Sequence, residues 1–244
     1  MTPESIAALA ACIASDKFTN GMSSRGNIPS NPSIAMMFRQ SGFFDHVSIL
    51  DYDSGRSKGA KLIHKRSDKK VESSDAKNIC RRLISKTDYT YIDELEPMYV
   101  ILIEAMQNTN NHASAGKPDQ YDWWLYQYED PEKKLLHYTF LDIGVGVFES
   151  LPVRDFKRKF MELFSIKNNS DLVRPLLKGE IKSRTLQPNR GKGIPQIYDQ
   201  SFDDLFEEFH ILSNDILINT RKKSHIRLSN QFYGTLYYWS VKIN

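Results

Sequence analysis

The sequence lacks the features that mark membrane-spanning, secreted and thiolate-metal proteins. No run approaches the roughly 18 consecutive apolar residues that a transmembrane helix needs. The stretch MTPESIAALAACIASDKF has an apolar patch but no basic segment before it, so we read it as a short helix and not as a signal peptide. The cysteines, Cys12 and Cys80, have no CxxC or His/Cys spacing, which argues against a metal site and fits two small buried side chains in a reducing compartment. We therefore expect a cytoplasmic protein that does not enter the membrane.

A strong charge bias is also missing. The 244 residues carry a formal net charge of +3, which is too small to indicate a nucleic-acid partner. The basic clusters at 64–70 and 220–225 are typical of solvated loops. Hydrophobic residues make up 40% and charged residues 26%, as in ordinary globular proteins, and the length suits one large domain or one domain with an appended unit.

Helical periodicity and turn residues divide the chain into predicted elements. Helices are expected at 33–44, 72–86, about 94–113, 153–164 and from Pro195 onward. Hairpins are expected within 46–66, around the DPEK turn at 130–133, and around Asn214–Asp215. The final run QFYGTLYYWSVKIN should be a buried strand, and Trp123 and Trp124 should face opposite sides of theirs. The polar, proline-interrupted stretch 168–193 is predicted to be weakly structured, which is typical of a functional lid.

The predicted helix at about 94–113 carries an unusual polar stripe. Because an α-helix turns by roughly 100° per residue, Glu104, Asn108, Asn111 and His112 fall within an arc of about 100°. Such a stripe is either a solvated face or a face turned toward a ligand, and the helix alone does not decide between the two.

Two glycine-containing segments offer something for that stripe to face. In LDIGVG, Asp142 lies at a predicted strand end, where a carboxylate can accept a hydrogen bond from an exocyclic amine, and Gly144 and Gly146 allow close approach of a ring or a phosphate. In RGKGIP, Gly191 and Gly193 precede a helix whose N-terminus favours an anion. Taken singly, each segment is as typical of an ordinary loop.

The order and spacing of these motifs resemble the histidine-kinase-like ATPase superfamily, also called GHKL or Bergerat-fold ATPases, which includes Hsp90, MutL, gyrase B and histidine kinases. EAMQN, from Glu104 to Asn108, resembles the N box. DIGVG resembles the first glycine box, RGKGIP the second with its later glycine replaced, and the GT of Gly234–Thr235 the last strand of the fold. The resemblance covers about residues 95–244.

The resemblance implies a site for ATP and Mg²⁺. Glu104 would be the general base, and Asn108 would coordinate Mg²⁺. The ATP-binding residues would be Asn108, Asp142, Gly144, Gly146, Gly191, Lys192, Gly193 and Thr235, with Asp142 and Thr235 at the adenine. Asn111, His112 and Arg190 would lie at the margin of the site.

The resemblance also implies the fold and the organisation of the chain. We expect an α/β two-layer sandwich, with a mixed, mainly antiparallel sheet and helices on one face. The ATPase domain would span 91–244, with an ATP lid at about 147–190. Residues 1–90 would form a small N-terminal α/β unit.

Three functions are compatible with such a site. The first, which the intact glutamate of the N box favours, is a slow ATPase whose lid closure regulates a partner protein. The second is a protein kinase of the histidine or anti-sigma serine type that acts on a separate partner. The third is a non-catalytic ATP-sensing module. A homodimer is left open.

Overall fold

The strands form a single antiparallel sheet in the part of the chain that the computed structural model describes, residues 3–20, 27–40, 43–45, 60–66, 71–112, 122–151, 167–181 and 193–244. The strands are β1 (Ala60–Arg66), β2 (Asp122–Asp130), β3 (Leu135–Asp142), β4 (Phe206–Asn219) and β5 (Ser224–Lys242). Their order in the sheet is β1-β2-β3-β5-β4, and every neighbouring pair is antiparallel. The protein is thus an α/β protein, and no parallel pair occurs among these strands, whereas a mixed sheet was expected.

Helices flank this sheet on both sides. They are α1 (Pro3–Asn20), α2 (Pro32–Gln40), α3 (Ser73–Ile84), α4 (Glu96–His112), α5 (Val147–Ser150), α6 (Asn169–Leu177) and α7 (Gly193–Gln200), with short 3₁₀ turns at Phe43–Asp45 and Ile92–Leu95. The helices predicted at 33–44, 72–86, 94–113 and from Pro195 are confirmed. None of the helices in the described ranges combines the length and the apolar character that crossing a bilayer requires.

Two hydrophobic cores lie on opposite faces of the sheet. Trp123 belongs to the larger core, with α3, α4, α6 and α7, and Trp124 belongs to the smaller core, with α1 and α2. Successive side chains of a strand point to opposite faces, so the prediction for the two tryptophans is confirmed. The prediction of helices on one face is wrong for α1 and α2, because the second face is also apolar and is covered as well.

The elements before residue 90 contribute to the sheet and to both cores. Strand β1 pairs with β2, α3 packs against α4, and α1 packs against β2 and β3. Cys80 of α3 is buried as expected, whereas Cys12 of α1 is exposed, contrary to expectation. The division of the chain at residue 90 stays a prediction.

The two hairpins had different outcomes. The β2–β3 hairpin is confirmed, with its turn at 131–134. The hairpin predicted around Asn214–Asp215 is wrong, because β4 continues through these residues with a bulge and the chain reverses at 220–223 instead. Asn214 has a φ of 53°, a left-handed value that asparagine tolerates better than most residues, so it allows an irregular strand here.

The stretch predicted to be weakly structured contains the helix α6. At its N-terminus, the Asn168 side chain accepts a hydrogen bond from the Ser170 N–H at 2.9 Å, and the Asp171 carboxylate accepts one from the Asn168 N–H at 3.2 Å. Buried apolar side chains on one face fix the helix to the larger core: Leu172, Val173 and Leu176. The prediction is therefore wrong for 169–177. The helix predicted at 153–164 and the first run of the hairpin within 46–66 lie outside the described residues.

Candidate functional site

Helix α4 carries Glu104 and Asn108 on one face, because residues four apart are neighbours on a helix surface. Leu102, on the side of α4 away from Glu104, and Ala105 are fully buried and anchor the helix to the larger core. Glu104 is only partly exposed, and burial raises the pKa of its carboxyl. Glu104 and Asn108 are thus neither fully solvated nor part of the apolar core.

Gly193, the first residue of α7, lies directly against these two side chains. A Cβ atom added at Gly193 would lie 2.7 Å from Asn108 Oδ1 and 3.0 Å from Glu104 Oε2. The first distance is shorter than real Cβ contacts and the second is at their lower limit, so a side chain at position 193 would have to displace the ends of Asn108 and Glu104. The structure therefore brings together three of the predicted site residues, from segments almost ninety residues apart along the chain.

Tyr237 of β5 connects α4 to the sheet. The Asn108 Nδ2 group donates a hydrogen bond to the Tyr237 hydroxyl at 3.3 Å, and Tyr237 is fully buried. Burial raises the pKa of Tyr237, and the negative charges of Asp142 and Glu104 raise it further. Tyr237 was not among the site residues predicted from the sequence, although strand alternation places position 237 on the same face as Thr235.

Asp142 ends β3 as a buried carboxyl group. It is 4% exposed and pairs in register with Thr235 of β5, whose backbone N–H donates to the carboxylate. Burial raises the pKa of Asp142 to about 7, although the hydrogen bond from Thr235 opposes this effect. A buried acceptor of this kind strongly favours a ligand that brings its own hydrogen-bond donor.

The glycines after Asp142 permit close backbone approaches. Gly146 has a φ of 78°, and a Cβ atom there would lie 2.6 Å from Asn214 Oδ1. Gly234 has a φ of 126°, and a Cβ atom there would overlap the carbonyl oxygen of Asp142 and lie 3.2 Å from the Gly144 nitrogen. The loop 143–146 and the start of the buried part of β5 therefore fit together only because glycines occupy these positions.

Two polar residues of β4, Ser213 and Asn214, hold this loop in place. Asn214 Nδ2 donates to the Val145 carbonyl at 2.8 Å, and Asn214 Oδ1 accepts from the Phe148 N–H at 3.0 Å. Ser213 Oγ accepts from the Val147 N–H at 2.8 Å and donates to the Gly234 carbonyl at 2.9 Å. This role was not predicted from the sequence, because Asn214 was expected in a hairpin turn.

The remaining predicted site residues are only partly described. The backbone of Asn111 and His112 forms the last turn of α4. Arg190, Gly191 and Lys192 lie outside the described residues, directly before α7. Their contributions to the site stay predictions.

The residues present fit Mg²⁺ and a nucleotide. Asn108 Oδ1 is a hard oxygen donor of the kind that Mg²⁺ prefers, and Mg²⁺ often takes only one or two protein ligands beside water and phosphate. No group of three or more metal-ligating His, Cys, Asp or Glu side chains occurs among the described residues, so the fit to Mg²⁺ depends on Asn108 and the fit to a nucleotide depends on the buried carboxyl group of Asp142.

No protein-family model matches the sequence. A search of the curated proteins finds no match either.

Proposed function

We propose that the chain is an Mg²⁺-dependent ATP-binding protein of the histidine-kinase-like type with a Bergerat fold, and that it is a slow ATPase. The observation that carries this proposal is the approach of Gly193 to Asn108 Oδ1 and Glu104 Oε2, which unites the predicted N box with the predicted second glycine box. Closure of the ATP lid predicted at about 147–190, with α6 remaining packed on the larger core, would change the surface offered to a partner protein.

The site has two chemically different ends. Asp142 and the backbone of Thr235 form a buried, acceptor-rich end that suits the amino group of adenine. Glu104, Asn108 and the N-terminus of α7 form an end that suits the phosphates, because the first N–H groups of a helix attract anions. The antiparallel sheet, with α4 packed on it and α7 packed against α4, supports the assignment of the fold.

Glu104 favours hydrolysis over simple sensing. Burial raises the pKa of this carboxyl, so its carboxylate form is a stronger base than an exposed glutamate. Mg²⁺, when bound, would stabilise negative charge on the phosphates. Glu104 would then accept a proton from the attacking water while Asn108 and the α7 N-terminus hold the phosphate end in place.

Calorimetric titration with ATP and a phosphate-release assay test this proposal. Asp142→Asn should weaken ATP binding by about tenfold or more, because a charge-assisted acceptor is lost. Glu104→Ala should retain ATP binding but abolish phosphate release. Glu96→Ala, which changes an exposed glutamate in the first turn of the same helix, serves as the matched control and should behave like the wild type.

The outcomes separate the alternatives. A wild-type protein that does not bind ATP refutes the proposal as a whole. Binding without phosphate release, with transfer of label from γ-labelled ATP to a co-purified protein, would identify a protein kinase instead. Binding with neither activity would identify an ATP-sensing module.

A further inference from the structure

Tyr237 has a hydroxyl group in a position that the packing of the sheet does not explain. The ring is fully buried on β5 and lies beside Phe140, with ring centroids 6.2 Å apart. A phenylalanine would fill the same space. The hydroxyl instead reaches across the space between sheet and helix to the side chain of Asn108 on α4.

A tyrosine hydroxyl can accept a hydrogen bond from the nitrogen of the Asn108 amide or donate one to its oxygen. The terminal torsion of asparagine is broad and roughly two-fold, so an amide without restraint can present either its oxygen or its nitrogen in a given direction. Here Nδ2 donates to the Tyr237 oxygen at 3.3 Å. The other atom, Oδ1, then lies nearer to Gly193, 2.7 Å from the position of an added Cβ, against 3.2 Å for Nδ2.

Only the oxygen of an amide can bind a hard cation. Glu104 Oε2 faces the same glycine, at 3.0 Å from the added Cβ position. The orientation of the Asn108 amide therefore decides whether two oxygens, or one oxygen and an NH₂ group, face the phosphate end of the site.

We propose that Tyr237 is a positioning residue for Mg²⁺: when Oδ1 of Asn108 faces the metal, the Tyr237 hydroxyl accepts from Nδ2, so that the orientation that binds the metal leaves no amide donor without a partner. This inference rests on the proposed function, because it assigns a role within the same ATP site. It concerns only the metal-dependent part of ATP binding, since Tyr237 acts through Asn108.

The chain offers a matched control in Tyr138. This tyrosine is also fully buried, and it lies on the neighbouring strand β3, stacked on Trp239 with ring centroids 5.3 Å apart. Its hydroxyl has no hydrogen-bond partner in the part of the chain that the structure describes. Tyr138→Phe and Tyr237→Phe thus remove the same atom from similar surroundings, and only the second removes a bond to the site.

The test measures ATP affinity calorimetrically with excess Mg²⁺ and with EDTA. The dissociation constant in EDTA divided by the dissociation constant with Mg²⁺ gives the contribution of the metal to ATP affinity. In Tyr237→Phe this ratio should fall about three- to tenfold, the range expected for one lost hydrogen bond, while the affinity in EDTA stays at the wild-type value. Tyr138→Phe should retain the wild-type ratio. Thermal unfolding of each variant reports whether the fold is retained.

A double-mutant cycle with Asn108→Ala shows whether Tyr237 acts through Asn108. In the Asn108→Ala background, Tyr237→Phe should cause no further change in the ratio, because there is no amide left to orient. Tyr237→Phe is compared with its parent in the wild-type and in the Asn108→Ala background. A general loosening of the fold would lower ATP affinity by the same factor in both backgrounds, whereas loss of the positioning role would lower it only in the wild-type background.

The outcomes separate this inference from the proposed function. If the wild type binds ATP more tightly with Mg²⁺ and Tyr237→Phe has an unchanged or larger ratio, the positioning role is refuted and the proposed function stands. An equal loss of affinity with Mg²⁺ and with EDTA also refutes it. A wild type that binds no ATP refutes both.

Discussion

Replacing Asp142 with asparagine tests the electrostatics of the site without any ligand. In the folded protein, burial raises the pKa of this carboxyl from its ordinary value of 3.8 to about 7. A group with a raised folded-state pKa binds a proton more readily in the folded state than in the unfolded state. The free energy of unfolding must therefore fall as pH rises from about 4 to about 7, and stay at its reduced value above that range.

The size of this effect follows from the difference between the two pKa values. About three pH units separate 3.8 from about 7, which corresponds to roughly 4 kcal/mol of the free energy of unfolding. Asparagine has nearly the same shape and does not titrate, and its oxygen can still accept from the Thr235 N–H. Its NH₂ group needs a partner, which imposes a cost of about 1–3 kcal/mol that does not vary with pH.

Urea denaturation between pH 4 and pH 8 measures the effect. The free energy of unfolding of Asp142→Asn minus that of the wild type should rise by up to roughly 4 kcal/mol over this range. Subtraction cancels every other titrating group that the two proteins share. If the free energies of unfolding of the two proteins changed with pH in parallel, Asp142 would not be held in a desolvated site and would not be a buried acceptor.

Asp171 supplies a control of opposite sign. Backbone N–H groups of Lys167 and Asn168 lower the pKa of this exposed carboxylate at the start of α6. Its contribution to stability is present above its ordinary pKa and is lost as pH falls through the lowered value. Asp171→Asn should therefore lose stability relative to the wild type at neutral pH and recover toward it in acid, whereas Asp142→Asn does the reverse.

Two further predictions concern the packing behind the site. Gly234→Ala should destabilise the protein by roughly 3 kcal/mol in urea denaturation, because its φ of 126° and the overlap with the Asp142 carbonyl both oppose a side chain; a change under about 0.5 kcal/mol would contradict this. Asn214→Gly tolerates the positive φ but removes the hydrogen bonds to Val145 and Phe148, so a loss of about 2 kcal/mol is expected. Wild-type stability of Asn214→Gly would show that these bonds do not hold the loop.

Periodicity and turn residues predicted the local elements well. The β2–β3 hairpin and helix α4 have strong alternating or helical patterns over many residues, so they follow from the sequence alone. Residue 214 shows the limit of that reasoning. Asparagine is as typical of a turn as of a strand bulge. Its hydrogen bonds to Val145 and Phe148, nearly seventy residues earlier in the chain, stabilise the bulge and not a turn.

The same limit applies to the candidate site. Glu104, Asn108, Asp142 and Gly193 could be selected from the sequence because they fall in short motifs with characteristic spacing. Tyr237 could not, since a tyrosine in an apolar strand is indistinguishable from an ordinary core residue until the partner of its hydroxyl is known. The coverage of the second face of the sheet by α1 and α2 was missed for a similar reason: Trp124 was predicted to face away from Trp123, but a strand pattern does not show which helices cover that side.

The smaller core has a consequence for shortened forms of the protein. Helix α1 buries Ile6 and Ala10 against a sheet face that carries Trp124, Tyr126 and Leu141. Deleting α1 would leave these large side chains facing water as one contiguous apolar area, which is the kind of surface that drives self-association. A fragment trimmed to residues 95–244 would therefore aggregate whatever the candidate site binds.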